Sequence, residues 1–316
     1  MRNFGRPPGG KSRLPYKTTQ LRRAADEEFI RRYSKVAINL PRSFRRMLRK
    51  VLGTNRKPAI CWGHASHIFT RNHLSEALAL RMAKDFDPTR PMFFITLVHD
   101  GWRTPLRDAV INLVEIRQRA RDCLRNIGFE GIAIIEFDVL VRPACDAKGH
   151  QILPHIHAFG YLETNEKVRR RQLHKLRRSK RLTSFNGAST VVCKTLPTAD
   201  DVMHAVGYAL KLPLCVKRMV PKKGYPGHTK MRTHNRRQQH ALLSVIEILS
   251  YLRQKDLVFS TGGWSRWLTD ACKTIDKSRT RRLPWFSRSR LSRLWQAVHR
   301  SNRFTCRETI SVRNRK

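Results

Sequence analysis

Acidic residues are scarce in this chain. Its 316 residues include 65 lysines and arginines but only 23 aspartates and glutamates, which gives a net charge of +42 at pH 7. Self-repulsion on this scale disfavours a compact monomer in the absence of a polyanion. Because lysine and arginine displace the counterions condensed on nucleic acid, the composition predicts nucleic acid as the first candidate partner. An anionic membrane surface is the alternative.

Two further absences narrow the class of protein. No run of about 18 apolar residues occurs, so no membrane span is expected. The seven cysteines include no Cys-x-x-Cys pair, which argues against a zinc finger or ribbon and favours a reduced, cytoplasmic setting. A cytoplasmic protein with this charge is expected to associate with the nucleoid.

The charge is unevenly distributed along the chain. Residues 1–57 carry 17 basic and 3 acidic side chains, residues 58–213 carry 23 and 15, and residues 214–316 carry 25 and 5. This pattern predicts a globular domain at 58–213. It is flanked by a basic, partly disordered and partly helical N-terminal extension at 1–57 and by a basic helical C-terminal region at 214–316.

The central segment alternates between strand-like and helix-like patterns. Short runs rich in β-branched and aromatic residues predict strands, whereas longer amphipathic runs predict helices. Before the first strand, Asn72 is predicted to cap a short amphipathic helix that ends at about residue 85. From there on, the predicted strands are 92–99, 131–140, 153–162 and 189–196, and the predicted helices are 105–127, 166–178 and 198–212, the last capped by Thr198. The first six of these elements follow the order β-α-β-β-α-β. This order predicts an α+β fold of the ferredoxin-like, split-βαβ type, with an antiparallel sheet and helices on one face.

Two histidines in the third predicted strand are candidate metal ligands. Side chains alternate along a strand, so His155 and His157 share one face while Ile156 points to the other. Glu136 is the acidic side chain of an otherwise apolar run in the second predicted strand. If these strands are neighbours, two imidazoles and a carboxylate form a half-shell suited to Mn²⁺ or Mg²⁺. Alternatively, Glu136 lies at a sheet edge, where it faces water or pairs with an arginine.

A tyrosine and a lysine on the last predicted helix are candidate catalytic groups. Tyr208 and Lys211 are three residues apart and therefore share a helix face. A neighbouring ammonium group favours the phenolate form of a tyrosine, which makes it a better nucleophile. His204, one turn earlier, could assist deprotonation. A surface pair without catalytic function is the alternative.

Three stretches in this order resemble the motifs of HUH endonucleases. They are residues 92–97 (MFFITL), 154–157 (PHIH) and 208–211 (YALK). A tyrosine that follows the histidine pair is similar to the arrangement in replication initiators, whereas relaxases typically have it before the pair. Position 212 is leucine, so the resemblance is to the single-tyrosine type.

The resemblance implies a function and a site. His155, His157 and Glu136 would hold Mn²⁺ or Mg²⁺, Tyr208 would attack a phosphodiester of single-stranded DNA, and Lys211 would stabilise charge or position the phosphate. The chain would then be a nicking and joining enzyme that initiates rolling-circle replication of a plasmid or phage at origin DNA, with host replication machinery as possible partners. An HUH-type transposase and a non-catalytic basic nucleic-acid-binding protein are the alternatives.

Overall fold

The computed structural model describes most of the central segment and parts of the C-terminal third. The described residues are 65–106, 111–141, 150–162, 165–184, 189–210, 216–221, 228–233, 245–246, 248–250 and 252–269, together with residues 31, 42 and 45. Most of the predicted N-terminal extension and the end of the predicted C-terminal region therefore lie outside the described residues.

Helices and strands alternate through the central segment. The described helices are α1 (Ile68–Lys84), α2 (Leu113–Arg125), α3 (Glu166–Arg178) and α4 (Ala199–Ala209). The described strands are β1 (Met92–Val98), β2 (Thr104–Pro105), β3 (Glu130–Val141), β4 (Gln151–Tyr161), β5 (Val191–Leu196), β6 (Val216–Pro221), β7 (His228–Thr233) and β8 (Val258–Thr261). The four predicted strands correspond to β1, β3, β4 and β5, and the predicted helix at 166–178 has the bounds of α3.

The strands form one sheet in the order β5-β1-β4-β3-β6-β7, with β2 paired to β4 and β8 paired to β3. The pairings are antiparallel except for the short parallel contact between β3 and β6. The α+β class and the antiparallel sheet are therefore confirmed. Strands β3 and β4, which carry the candidate metal ligands, are direct neighbours in the middle of this sheet.

Helices cover both faces of the sheet, although the sequence predicted helices on one face. Helices α2 and α3 pack on the face that carries Ile95, Ile135 and Ile156. Helices α1 and α4 pack on the other face, against Ile134 and Phe159. Every residue of β4 is buried, as expected of a strand that is covered on both sides.

Two helix starts differ from the sequence prediction because other residues satisfy the free backbone N–H groups. The side chain of His67 accepts a hydrogen bond from the N–H of Thr70, so α1 begins at Ile68 rather than after a cap at Asn72. Helix α2 begins at Leu113 with Asn112 as its cap, rather than at Pro105, which lies in β2. The predicted cap Thr198 does accept from the N–H of Asp201 at the start of α4.

The sheet continues beyond residue 213, where the sequence predicted a helical region. Strand β6 lies beside β3 and pairs with β7, while β8 pairs with residues 131–134 of β3. Residues 245–259 also contribute buried side chains to the apolar cluster beneath α2, among them Leu249, Leu252 and Phe259. Strand β8 has only four residues, too few for a side-chain alternation to be recognised in the sequence.

Within the parts of the chain that the structure describes, no helix is both long and apolar enough to cross a bilayer.

Candidate metal centre

The three predicted metal ligands meet on one face of the sheet. Glu136 of β3 lies directly opposite His155 of β4 in the strand register, and His157 follows two residues further along the same face. Each of the three is at most 6 % exposed. Burying a carboxylate and two imidazoles is costly unless they are paired or bound to a cation. The sequence-based alternative of Glu136 as a water-facing edge residue does not apply, because β3 is an interior strand.

The separations between the ligand atoms suit a single cation. Glu136 Oε2 is 2.8 Å from His157 Nε2 and 3.4 Å from His155 Nε2, and the two Nε2 atoms are 3.2 Å apart. Ligands in adjacent positions around a small divalent cation, each about 2.1 Å from it, are about 3.0 Å from one another. The buried Glu136–His155–His157 cluster can therefore hold a metal ion.

The second ring nitrogens of both histidines have their own partners. His157 Nδ1 lies 3.0 Å from Thr96 Oγ1 on β1, and His155 Nδ1 lies 3.4 Å from the carbonyl oxygen of Leu153. A carbonyl oxygen can only accept, so Nδ1–H of His155 donates and leaves its Nε2 as a lone-pair donor for a metal. Such outer partners orient the rings of metal-binding histidines.

Two residues near the cluster were missed by the sequence analysis. Thr96 lies in the stretch that resembles an HUH motif, but the sequence of that stretch does not predict that its hydroxyl contacts His157 on the neighbouring strand β4. Asp138 lies two residues after Glu136 and is buried on the same face, with Oδ2 4.0 Å from His155 Nδ1. The alternation that placed His155 and His157 together would also have placed Asp138 with Glu136.

Tyr208 lies beside the cluster on α4. One side of this helix packs against the core through Val202, Val206 and Ala209. Tyr208 lies outside that side and is 44 % exposed. Its ring centroid is 5.5 Å from that of His157 and 6.2 Å from that of Phe94. Phe94 in turn stacks on His157 with a centroid separation of 5.0 Å. The predicted nucleophile therefore borders the predicted metal ligands and faces solvent.

The end of α4 is tied to the start of α1. The buried guanidinium of Arg71 donates to the carbonyl oxygens of Leu210 and Ala65, each at 3.3 Å. This bridge fixes the helix terminus that follows Tyr208. Lys211 lies outside the described residues, so its predicted role stays a prediction. His204 is on α4 and exposed.

Tyr161 is a second tyrosine of the metal-site face, but its environment differs. Its hydroxyl donates to the carbonyl oxygen of Asp85 at 2.7 Å. Burial raises the pKa of Tyr161 above its ordinary value, which disfavours the phenolate that a nucleophile needs. Of the two tyrosines that the structure describes, Tyr208 is thus the better placed to attack a substrate.

Comparison with known proteins finds no matching family model, no matching curated protein and no matching solved structure.

Proposed function

We propose that this chain is a metal-dependent enzyme of the HUH type that nicks and rejoins single-stranded DNA to initiate rolling-circle replication. The observation that carries the proposal is the buried cluster of Glu136, His155 and His157, with the solvent-facing ring of Tyr208 beside it. A protein that only binds nucleic acid has no need for two imidazoles and a carboxylate in the middle of its sheet.

We further propose that the core of the fold is the ferredoxin-like, split-βαβ plan. Two features support it: the spatial order β5-β1-β4-β3 with antiparallel neighbours, and the helices α2 and α3 that connect β1 to β3 and β4 to β5. This plan places the first three strands of the motif side by side, so that Thr96, Glu136 and the histidine pair converge on one face.

The donor set is the basis for the proposed cofactor. Two imidazole nitrogens and a carboxylate oxygen suit Mn²⁺ or Mg²⁺ and leave further coordination positions for water and phosphate oxygens. When bound there, the cation would polarise the scissile phosphate and offset the negative charge that develops during the reaction.

Tyr208 would act as the nucleophile. Its phenol loses a proton to a base or to solvent, and Oη attacks the phosphorus of the scissile phosphodiester. The bond from phosphorus to the 3′ oxygen breaks, and this oxygen takes up a proton to become a free 3′-OH. The DNA 5′ end remains bonded to Tyr208 as a phosphotyrosine, and attack by a 3′-OH reverses the reaction and joins the strand.

Exposed side chains beside Tyr208 support a single strand as substrate. Val192 and Lys194 of β5 are exposed and lie opposite Thr96 and Phe94 of β1 in the register. The surface beside the metal cluster thus combines aromatic rings with a cation. Stacking on aromatic rings and contact between cations and phosphates are the main means by which proteins hold unpaired nucleotides.

A cleavage assay with an end-labelled single-stranded oligonucleotide of origin sequence tests the proposal. With Mn²⁺, the wild-type protein should release one labelled fragment and keep the other in a complex that survives denaturation. Tyr208→Phe should form neither product. Tyr161→Phe is the matched control, because its hydroxyl is engaged with Asp85, and it should cleave like the wild type.

Three results would count against the proposal. Cleavage by Tyr208→Phe at the wild-type rate would show that another group is the nucleophile. Cleavage that persists at full rate after removal of divalent cations would show that the histidine cluster is structural. Tight binding of DNA by all variants without any cleavage would favour the non-catalytic binding protein.

A further inference from the structure

A basic site separate from the metal cluster lies on the opposite face of the sheet. A groove of about 600 Å³ runs between α3 and the edge strand β5. Its floor includes Phe93 and Cys193, which belong to the apolar face that α2 and α3 cover. The metal ligands point to the other face, so a ligand in this groove does not occupy the catalytic surface.

The groove is strongly positive. Four arginines line it, together with His174 and a single acidic residue, Glu166. The lining arginines are Arg169, Arg170, Arg171 and Arg177. Helix α3 as a whole carries seven basic residues and one acidic residue among its 13 positions. Such a density of guanidinium groups is costly through mutual repulsion, and a polyanion in the groove would relieve it.

Contacts with the fold hold two of these guanidinium groups in place. The guanidinium of Arg169 lies over the ring of Phe93, 4.7 Å from the ring centroid, within the limit of about 6 Å for a cation–π interaction. The Nε of Arg177 donates to the carbonyl oxygen of Val191 at 3.2 Å. Each contact holds a planar guanidinium fork in one orientation, and such forks bind phosphate oxygens through paired N–H groups. Arginines fixed in this way lose less side-chain entropy when they bind an anion.

The groove is suited to a phosphate backbone more than to unpaired bases. Phe93 is the aromatic residue of its lining, and it is 3 % exposed and covered by Arg169. Unpaired bases are held largely by stacking on exposed rings, whereas a duplex presents phosphates outward. At 1.5 Å per residue, α3 is about 20 Å long. One strand of a duplex presents a phosphate about every 3.4 Å along its axis, so roughly six phosphates span the length of the helix.

We propose that the groove between α3 and β5 binds the phosphodiester backbone of a nucleic-acid duplex. The charge and the covered aromatic ring carry this inference, and it does not depend on the cleavage chemistry proposed above. Together the two sites would hold double-stranded nucleic acid on one face of the sheet and an unpaired strand on the other. An acidic peptide that pairs with the outer edge of β5 is the competing occupant.

Equilibrium binding in EDTA tests the groove without cleavage. The full-length protein is titrated against a short labelled duplex and the matching single strand by fluorescence anisotropy over a series of salt concentrations. The double variant Arg170→Gln/Arg171→Gln should weaken duplex binding on the order of tenfold. The slope of log K against log salt should become shallower by about 1.8, because each lost phosphate contact contributes about 0.9. The control Lys84→Gln/Lys255→Gln removes the same charge from exposed positions elsewhere and should change neither quantity appreciably.

Each other outcome decides against the groove as a duplex site. Equal losses in the arginine and control variants would show that only net charge matters. A loss confined to the single strand would assign the groove to unpaired nucleotides, and unchanged duplex binding together with capture of an acidic peptide would assign it to a protein partner. Cleavage of a short single strand in Mn²⁺ should be unaffected by the arginine variant. If no variant cleaves, the proposed enzymatic function fails, while the duplex titration still decides the role of the groove.

Discussion

The two faces of β3 and β4 differ sharply in chemistry although their residues alternate along the same strands. Ile135 and Ile156 are register partners on one face and are fully buried in an apolar cluster. Glu136 and His155 are partners on the other face, where they are polar and only 4 % and 6 % exposed. At these positions the apolar side chains of one face stabilise the fold, and the polar side chains of the other face form a candidate metal site.

The residues that stabilise the fold are therefore distinct from the residues that form the candidate metal site. Apolar residues gain free energy from burial, so truncation of Ile156 should affect folding. Buried polar residues gain little from burial itself, so loss of a histidine should affect metal binding more than folding.

The largest effect is expected for a metal ligand. His157→Ala should lower the rate of single-strand cleavage by at least about 10³-fold, because a bound cation contributes several kcal/mol to stabilising the transition state. Its melting temperature without metal should stay close to that of the wild type. Cleavage rates and thermal unfolding in EDTA check both parts, and a large loss of stability in EDTA would mean that the histidine is part of the core.

Ile156, which precedes His157 in β4, should affect stability more than cleavage. Ile156→Ala should lower the free energy of unfolding by about 2–5 kcal/mol, the cost of removing methyl groups from a filled core. Chemical denaturation measures this cost. At temperatures where the variant is still folded, its cleavage rate should remain within a few fold of the wild-type rate. A variant that is as stable as the wild type but does not cleave would contradict the division of roles between the two faces.

An intermediate effect is expected for the outer partner of His157. Thr96→Val removes the hydroxyl that lies 3.0 Å from Nδ1 and keeps the shape of the side chain. Loss of such a partner typically lowers metal affinity by about 10–100-fold, which Mn²⁺ titration by calorimetry measures. Thr195→Val on β5 is the matched control, and equal affinity losses in the two variants would argue against an orienting role for Thr96.

The smallest effect concerns a buried histidine at the end of β1. Burial lowers the pKa of His99 below 6.5, and the Arg119 guanidinium, 2.6 Å from its Nε2, lowers it further, against the opposing influence of Asp100 and Glu115. As the pH falls, His99 is therefore protonated at a higher pH in the unfolded chain than in the folded protein. The stability contributed by neutral His99 should be complete above about pH 6.5 and should be lost as the pH falls through and below that value.

Replacing His99 should make the fold less sensitive to acid. In the wild type, the N–H of Thr183 donates to His99 Nδ1 at 3.1 Å. His99→Asn retains an acceptor for this N–H, but an asparagine side chain does not titrate. Melting temperatures measured as the pH falls below about 6.5 should decline less for this variant than for the wild type. Parallel declines would show that other groups govern the acid sensitivity.

Much of the site was predictable because strand periodicity is a local property. The alternation of His155, Ile156 and His157 was enough to place both imidazoles on one face, and the order of elements was enough to place Glu136 beside them. The strand β8 and the helix layer formed by α1 and α4 were not predictable in this way. A four-residue strand carries almost no pattern, and the face on which a helix packs depends on long-range contacts such as those of Arg71.

The most direct test of the account is to identify the residue that becomes covalently bonded to DNA. The protein is incubated with Mn²⁺ and a single-stranded origin oligonucleotide, then digested and analysed by mass spectrometry. The account predicts a peptide that carries a 5′-phosphonucleotide on Tyr208, and no such adduct in His157→Ala. An adduct on another residue, or cleavage without any adduct, would contradict it.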